Sequence, residues 1–348
     1  MKEKIKVLVV DDSLFFRGVL TKKLAEFDHI EVLGYARDAF EAKEKIPQLK
    51  PDVVTLDVEM PKINGIEFLK QLLPDRPIPV VLVSALNISV FDALAAGAVE
   101  FVKKPELSNS DTISAFIEEL AAKITIASRA KVSPPSGVSK ISIAAKPSFA
   151  PINPSRLANT TVIALGASTG GTEATISVIK DLPEDTPGIL VVQHMPPGFT
   201  KMYAERLNRL CKMEVREAVD GDIVKNGLVL IAPGDFHMKL TKLGSTYVVK
   251  CFQAEKVSGH RPSVDVLFNS VAEVAKKNAV GIIMTGMGRD GAQGLLNMRQ
   301  QGAYTIGQNK ESCVVYGMPM VAKNIGAVMI EASNENIPLV LRRYLASL

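Results

Sequence analysis

Ser168 stands in Gly166-Ala167-Ser168-Thr169-Gly170, which fits G-x-S-x-G, a spacing that puts a nucleophilic hydroxyl on a sharp turn with small neighbours. A serine hydroxyl is a weak nucleophile by itself. It needs a base within hydrogen-bond reach and a third group to orient that base. Of the four histidines, His194 directly follows an apolar run ending in Val192 and Gln193, His29 lies in the first half, and His237 and His260 fall in loops rich in polar residues. His194 is therefore the candidate base. The run from Val280 to Thr285 empties into glycines as the Ser168 segment does, and delivers Asp290 to the same edge as a candidate orienting acid. The glycines around Met287 and after Ser168 would leave backbone N–H groups to meet an oxyanion.

Competing chemistry for the glycine-rich stretch is limited. A phosphate-binding loop requires lysine and a hydroxyl after its last glycine, where this chain has Thr172 and Glu173. A dinucleotide fingerprint requires a second glycine where Ala167 and Ser168 stand. The chain order Ser, His, Asp also departs from the Ser, Asp/Glu, His order of α/β-hydrolases. A tight turn in which Ser168 merely caps a helix stays open on this stretch alone.

A second constellation lies nearer the N-terminus. Asp11 and Asp12 follow the apolar run from Val7 to Val10, Asp57 follows Val53 to Leu56, Ser84 ends Val80 to Val83, and Lys104 follows Val99 to Val102. Clustered carboxylates repel one another unless a hard cation with a preference for oxygen neutralises them, and Mg²⁺ is the expected ion.

Both sets of residues require strands that end at a common edge. In the first 120 or so residues, apolar strand-like runs alternate with helical patterns about five times, which predicts a parallel sheet covered on both faces by helices. After the helix ending near Ala127, the composition turns to Ser, Pro, Lys and Ala until about Asn159, which predicts a mobile tether. Strands near 162–165, 189–193, 228–232, 280–285 and 303–307 then alternate with helices again, and 236–252 reads as an antiparallel hairpin at one edge. The expected domains are 4–122, a linker at 123–159, and 160–346.

Length and composition fit this division, since 348 residues suffice for about two domains at ~150 residues each. A formal charge of +4, from 41 basic and 37 acidic residues, is too mild to argue for nucleic acid. Cys211, Cys251 and Cys313 are widely spaced and odd in number, which suggests neither a disulfide framework nor a zinc site. The apolar stretch at the N-terminus meets Asp11 too early for a signal peptide, and no run approaches the ~18 apolar residues of a membrane span. A soluble, monomeric cytoplasmic protein without membrane insertion is expected.

Residues 4–122 resemble a response-regulator receiver domain through D-D at 11–12, T-L-D-V-E-M-P at 55–61, S-A at 84–85 and K-K-P at 103–105. The resemblance implies a flavodoxin-like fold. It also implies that Asp57 accepts a phosphoryl group from a chemotaxis histidine kinase, that Asp11, Asp12 and Asp57 hold the metal, and that Lys104 pairs with the phosphoryl group. Ser84 and Phe101 would be switch residues, Phe101 standing where many receivers have tyrosine. The runs G-A-S-T-G-G at 166, Q-H-M-P at 193, I-A-P-G at 231, H-R-P-S-V-D at 260, T-G-M-G-R-D-G-A at 285 and C-V-V-Y-G-M-P at 313 resemble the catalytic domain of the CheB family of chemotaxis methylesterases. That resemblance implies a triad of Ser168, His194 and Asp290, an oxyanion hole at the Met287 backbone, and a cleft lined by Thr169 and residues 260–263.

The expected activity is hydrolysis of glutamate methyl esters on methyl-accepting chemoreceptors, with deamidation of receptor glutamines as a second reaction and no cofactor in the esterase site. Phosphorylation of Asp57 is expected to relieve inhibition by the receiver. Three rivals stay open: a receiver joined to a non-catalytic receptor-binding domain, a hydrolase of small esters, and a transcriptional regulator. The last is disfavoured, since the second domain does not read as helix-turn-helix.

Overall fold

The computed structural model describes residues 3–84, 89–105, 110–132 and 161–348. Residues 133–160, which carry most of the expected linker, lie outside the described residues, as does Ala85. The described residues fall into two compact units, one on each side of 133–160. No described helix is long and apolar enough to cross a membrane.

In the first unit the chain alternates β1 (Ile5–Val10), α1 (Leu14–Leu24), β2 (Ile30–Ala36), α2 (Ala39–Leu49), β3 (Val53–Asp57), α3 (Gly65–Asp75), β4 (Val80–Ser84), α4 (Ser89–Ala95), β5 (Glu100–Lys103) and α5 (Ser110–Ala127). The strands pair in parallel in the order β2-β1-β3-β4-β5. The continuous apolar runs in β1, β3 and β4 follow from burial on both sheet faces. Ser13, Asp38 and Asn64 start α1, α2 and α3 by accepting from the N–H groups of Phe16, Glu41 and Glu67. Helix α5 continues to Ala127, five residues into the segment assigned to the linker.

The second unit adds β6 (Val162–Ala167), α6 (Gly171–Ile179), β7 (Ile189–Gln193), α7 (Phe199–Leu210), β8 (Glu214–Glu217), β9 (Leu228–Ile231), β10 (His237–Leu243), β11 (Thr246–Phe252) and α8 (Val264–Val274). It continues with β12 (Ala279–Ile283), α9 (Ala292–Gln300), β13 (Tyr304–Gln308), α10 (Met318–Asn324), β14 (Ile330–Ala332) and α11 (Ile337–Ser347). Seven parallel strands lie in the order β14-β13-β12-β6-β7-β9-β8. The expected hairpin is present as β10 and β11, but it forms a two-stranded sheet of its own. A hydrogen bond from Leu240 N–H to Ser270 Oγ ties it to α8. Strands β8 and β14 were not legible in the sequence. They are the edges of the sheet, short and largely polar or exposed, so neither carries the buried apolar run that marks the inner strands.

Helix α8 seals one face of the central strands with Val264, Leu267, Phe268 and Val271, all fully buried. Its first residue sits directly over β6, where a Cβ added to Gly166 would lie 2.2 Å from Val264 Cγ1. The chain can pass there only without a side chain. Gly166→Ala is accordingly expected to destabilise the protein by about 1–3 kcal/mol through overpacking. In urea unfolding, Val264→Ala in the same chain should recover part of that loss, and strictly additive effects would contradict the contact.

Candidate active site and receiver site

Strands β12, β6 and β7 are neighbours, with β6 in the middle. Ala167 pairs with Gln193 and Ile283 with Gly166, so the chain leaves the sheet at adjacent points to present Ser168, His194 and, after a glycine-containing turn, Asp290. These are the carboxyl ends of the strands, where an open α/β sheet has its crevice.

The turn that carries Ser168 is fixed from both sides. Gln193 Nε2 donates to Ser168 O at 2.8 Å, Ser168 N–H donates to Thr285 O at 3.0 Å, and Thr285 Oγ1 donates to Thr169 O at 3.0 Å. Thr285 N–H in turn donates to the side-chain carbonyl of the buried Gln308 at 2.8 Å. Gly170, at φ +74°, lets the chain enter α6, and a Cβ there would lie 2.6 Å from Val314 Cβ. Ser168 itself is half-buried and Thr169 is buried.

His194 Nε2 lies 2.9 Å from Asp290 Oδ2, with the two side chains only 8% and 2% exposed. Asp290 takes three more donors: Val264 N–H on Oδ2 at 2.8 Å, and Ser263 Oγ and Asp265 N–H on Oδ1 at 2.8 and 3.0 Å. Burial alone would push this carboxyl up, but the His194 bond and charge, with the donors at the start of α8, hold it well below the usual carboxylate range. With Nε2–H donated to Asp290, the lone pair of Nδ1 is available as a base, and that buried atom has no partner among the described residues. The Ser168 hydroxyl is not hydrogen-bonded to it in this conformation, as is common before substrate enters.

The imidazole of His260 stacks on that of His194, with ring centroids 3.7 Å apart and planes 10° from parallel. Arg261 is held by Asp235, with Nε 2.9 Å from Oδ1. His237 is not a loop residue. It opens β10, is buried, accepts from Ser263 N–H on Nδ1 at 3.2 Å and bonds Glu255 O through Nε2 at 2.9 Å, so it anchors the start of α8.

Met287 is half-buried and follows Gly286, whose N–H donates to Val315 O and whose carbonyl accepts from Gly317 and Met318 N–H. A Cβ on Gly286 would lie 2.7 Å from Ser168 Cβ, so this pinned backbone runs directly against the serine. The Met287 N–H therefore belongs to a rigid segment beside the candidate nucleophile. Sequence reasoning missed the Asp290 contacts of Ser263 and Asp265 and the clamp made by Gln193. A serine and an aspartate at a helix start are a visible capping signal, but its target lies across the fold.

In the first unit, Asp11, Asp12 and Asp57 place carboxylate oxygens within 4.8 Å of one another. Lys104 Nζ lies 2.8 Å from Asp11 Oδ2 and 2.5 Å from Asp57 Oδ2. Burial pushes Asp57 up to about 6 against the pull of Lys104, and Asp11 adds to the rise. Such a donor set of hard oxygens fits a divalent cation. Ser84 ends β4 and is buried with its hydroxyl lacking a hydrogen-bond partner among the described residues, while its carbonyl accepts from Lys104 N–H at 2.8 Å. Phe101 is buried on β5.

Comparison with known proteins accounts for both units. Residues 163–341 match the CheB methylesterase family, and residues 7–117 match the response regulator receiver domain. The chain is 54% identical over 325 residues to protein-glutamate methylesterase/protein-glutamine glutaminase 2 of Syntrophomonas wolfei, covering 93% of each protein. It is 48% identical over 351 residues to protein-glutamate methylesterase/protein-glutamine glutaminase of Sulfurimonas denitrificans, covering 98% of this chain and 99% of that one. The crystal structure of the Thermotoga maritima CheB methylesterase catalytic domain superposes with a TM-score of 0.52 at 38% identity, covering 53% of this chain and 98% of that domain. The chain thus belongs to the CheB methylesterase family, with a response regulator receiver domain ahead of the esterase domain.

Proposed function

We propose that this protein is a receiver-regulated protein-glutamate methylesterase and protein-glutamine glutaminase that works through Ser168, His194 and Asp290 on chemoreceptors. The observation that carries the reading is the buried His194–Asp290 pair, which leaves one ring nitrogen free beside the turn that bears Ser168.

Ser168 Oγ attacks the carbonyl carbon of a glutamyl methyl ester while its proton passes to His194 Nδ1. The carbonyl π pair moves to oxygen, and the Met287 N–H supports the resulting oxyanion. Collapse of the intermediate breaks the bond to the methoxy oxygen, which takes the proton from His194 and departs as methanol. Water then repeats the sequence on the acyl-serine, His194 again moving its proton, and releases the glutamate. With a glutamine substrate the leaving group is ammonia. Asp290 fixes the tautomer of His194 and offsets the charge of the imidazolium.

In the receiver, Asp57 is the phosphoryl acceptor, supplied by a histidine kinase, and Asp11, Asp12 and Asp57 hold a divalent cation that we infer to be Mg²⁺. The cation supplies neutralisation of charge on the phosphoryl oxygens. Lys104 holds the carboxylates in place beforehand, and Ser84 and Phe101 report the change. The domain limits that support this reading are 4–122 and 160–346.

Methanol release from methylated receptor membranes tests the esterase. Ser168→Ala is expected to lower the rate about 10⁶-fold with folding intact, and Asp290→Asn about 10⁴-fold. A small phosphodonor with Mg²⁺ should raise the native rate and leave Asp57→Asn unchanged. Retention of the rate by Ser168→Ala would place the nucleophile elsewhere, and absence of release from the native protein under every condition would point instead to a receptor-binding role.

The raised pKa of Asp57 gives a second check. Because the folded value lies near 6, above the ordinary aspartate value of 3.8, the associated stability is present below about 4 and is lost as pH rises through 6. A carboxyl ¹³C titration of metal-free protein should place the Asp57 midpoint near 6, and saturating Mg²⁺ should lower it by about one unit or more. A midpoint that ignores Mg²⁺ would exclude Asp57 as a ligand.

A further inference from the structure

Like the other helices of the esterase unit, α8 and α9 have no side-chain cap of their own. The N-cap of α8 is Ser263, whose hydroxyl donates to Asp290 instead of accepting from its own helix, and the N-cap of α9 is Gly291, which has no side chain. Each helix start is served by a carboxylate that belongs to the other. Asp290, the residue before Gly291, accepts from the Val264 and Asp265 N–H groups of α8, and Asp265, in the first turn of α8, accepts from Gly294 N–H of α9 at 2.7 Å. The two helices are close enough for this exchange because α9 presents Gly294 to Phe268, where a Cβ would lie 2.6 Å from Phe268 Cβ.

We propose that Asp265 is a positioning residue for the hydrolysis: by capping α9 it holds the peptide on which Asp290 is mounted, and so keeps the Asp290 carboxylate in line with His194 Nε2. The role follows from acceptor geometry. The Asp265 bond to α9 is received from a backbone N–H, which a neutral amide oxygen can accept as well. Loss of the acceptor frees the start of α9, and a displacement of even 1 Å at a catalytic group costs on the order of 10²-fold in rate. The substrate touches neither Asp265 nor α9 in this scheme, so binding is unaffected.

This inference rests on the triad reading above, and the test separates the two. Methanol release from methylated receptor membranes is measured for the full chain and for Asp265→Ala, Asp265→Asn and Ser168→Ala, together with the ¹H resonance of the His194 Nε2 proton, assigned by its loss in His194→Gln. Asp265→Ala is expected to lower kcat about 10- to 100-fold with KM unchanged and to broaden or shift the Nε2 proton. Asp265→Asn should restore both to near native. If Asp265→Ala does not fold, Asp265→Ser, one bond too short to reach Gly294, takes its place with the same expected loss.

Native kcat in the alanine or serine variant overturns the proposal, as does an Asp265→Asn variant as impaired as Asp265→Ala. A loss confined to KM overturns it also. Undiminished release by Ser168→Ala would instead strike the triad itself, whatever Asp265 does.

Discussion

A carboxylate taken out of water must be paired, and around Asp290 that requirement organises the esterase unit. Its two oxygens receive four hydrogen bonds, from His194, Ser263, Val264 and Asp265. Two of the donors are backbone N–H groups that the start of α8 leaves without partners in the helix. Beginning at this spot, α8 packs Val264 against β6 at Gly166 and against the turn at Gly291. The histidine that opens β10 holds the N-cap residue from the other side. Sheet, helix and hairpin meet where the charge is buried.

The receiver treats its own buried carboxylate in the opposite way. Asp57 has Lys104 and the Glu59 N–H, but it also has Asp11 close by, and its burial is only partly offset. The result is an acid held near 6 in place of one held far below the ordinary range. A carboxylate so under-supplied favours a reaction or ligand that brings positive charge, whereas the saturated Asp290 suits a fixed electrostatic part. One chain contains both solutions, each set by how many donors reach the oxygens.

Much of this was legible in the sequence because parallel sheets covered on both faces write long apolar runs, and their carboxyl ends collect polar residues. Ser168, His194, Asp11, Asp57 and Lys104 stand at the ends of such runs, and Asp290 follows one after a glycine-containing turn. The edge strands β8 and β14 left no such trace, since half of an edge strand faces water. His237 read as a loop residue because its partners, Ser263 and Glu255, are brought to it only by the hairpin. The role of Asp265 was hidden for a similar reason. A helix cap is visible when it serves its own helix, and here the cap and the helix it serves are 29 positions apart.

The order of strands also bears on when the protein first becomes reactive. Strand β6 lies at the centre, its partner β7 follows within the next 30 residues, but β12 on its other flank is more than 100 residues further along. As the chain emerges from the ribosome, the serine and histidine segments can pair while the third strand is still unmade. Until β12 inserts and α8 and α9 exchange their carboxylates, the imidazole has no fixed tautomer. The His194–Asp290 pair is thus among the last contacts of the central strands that can form as the chain is made.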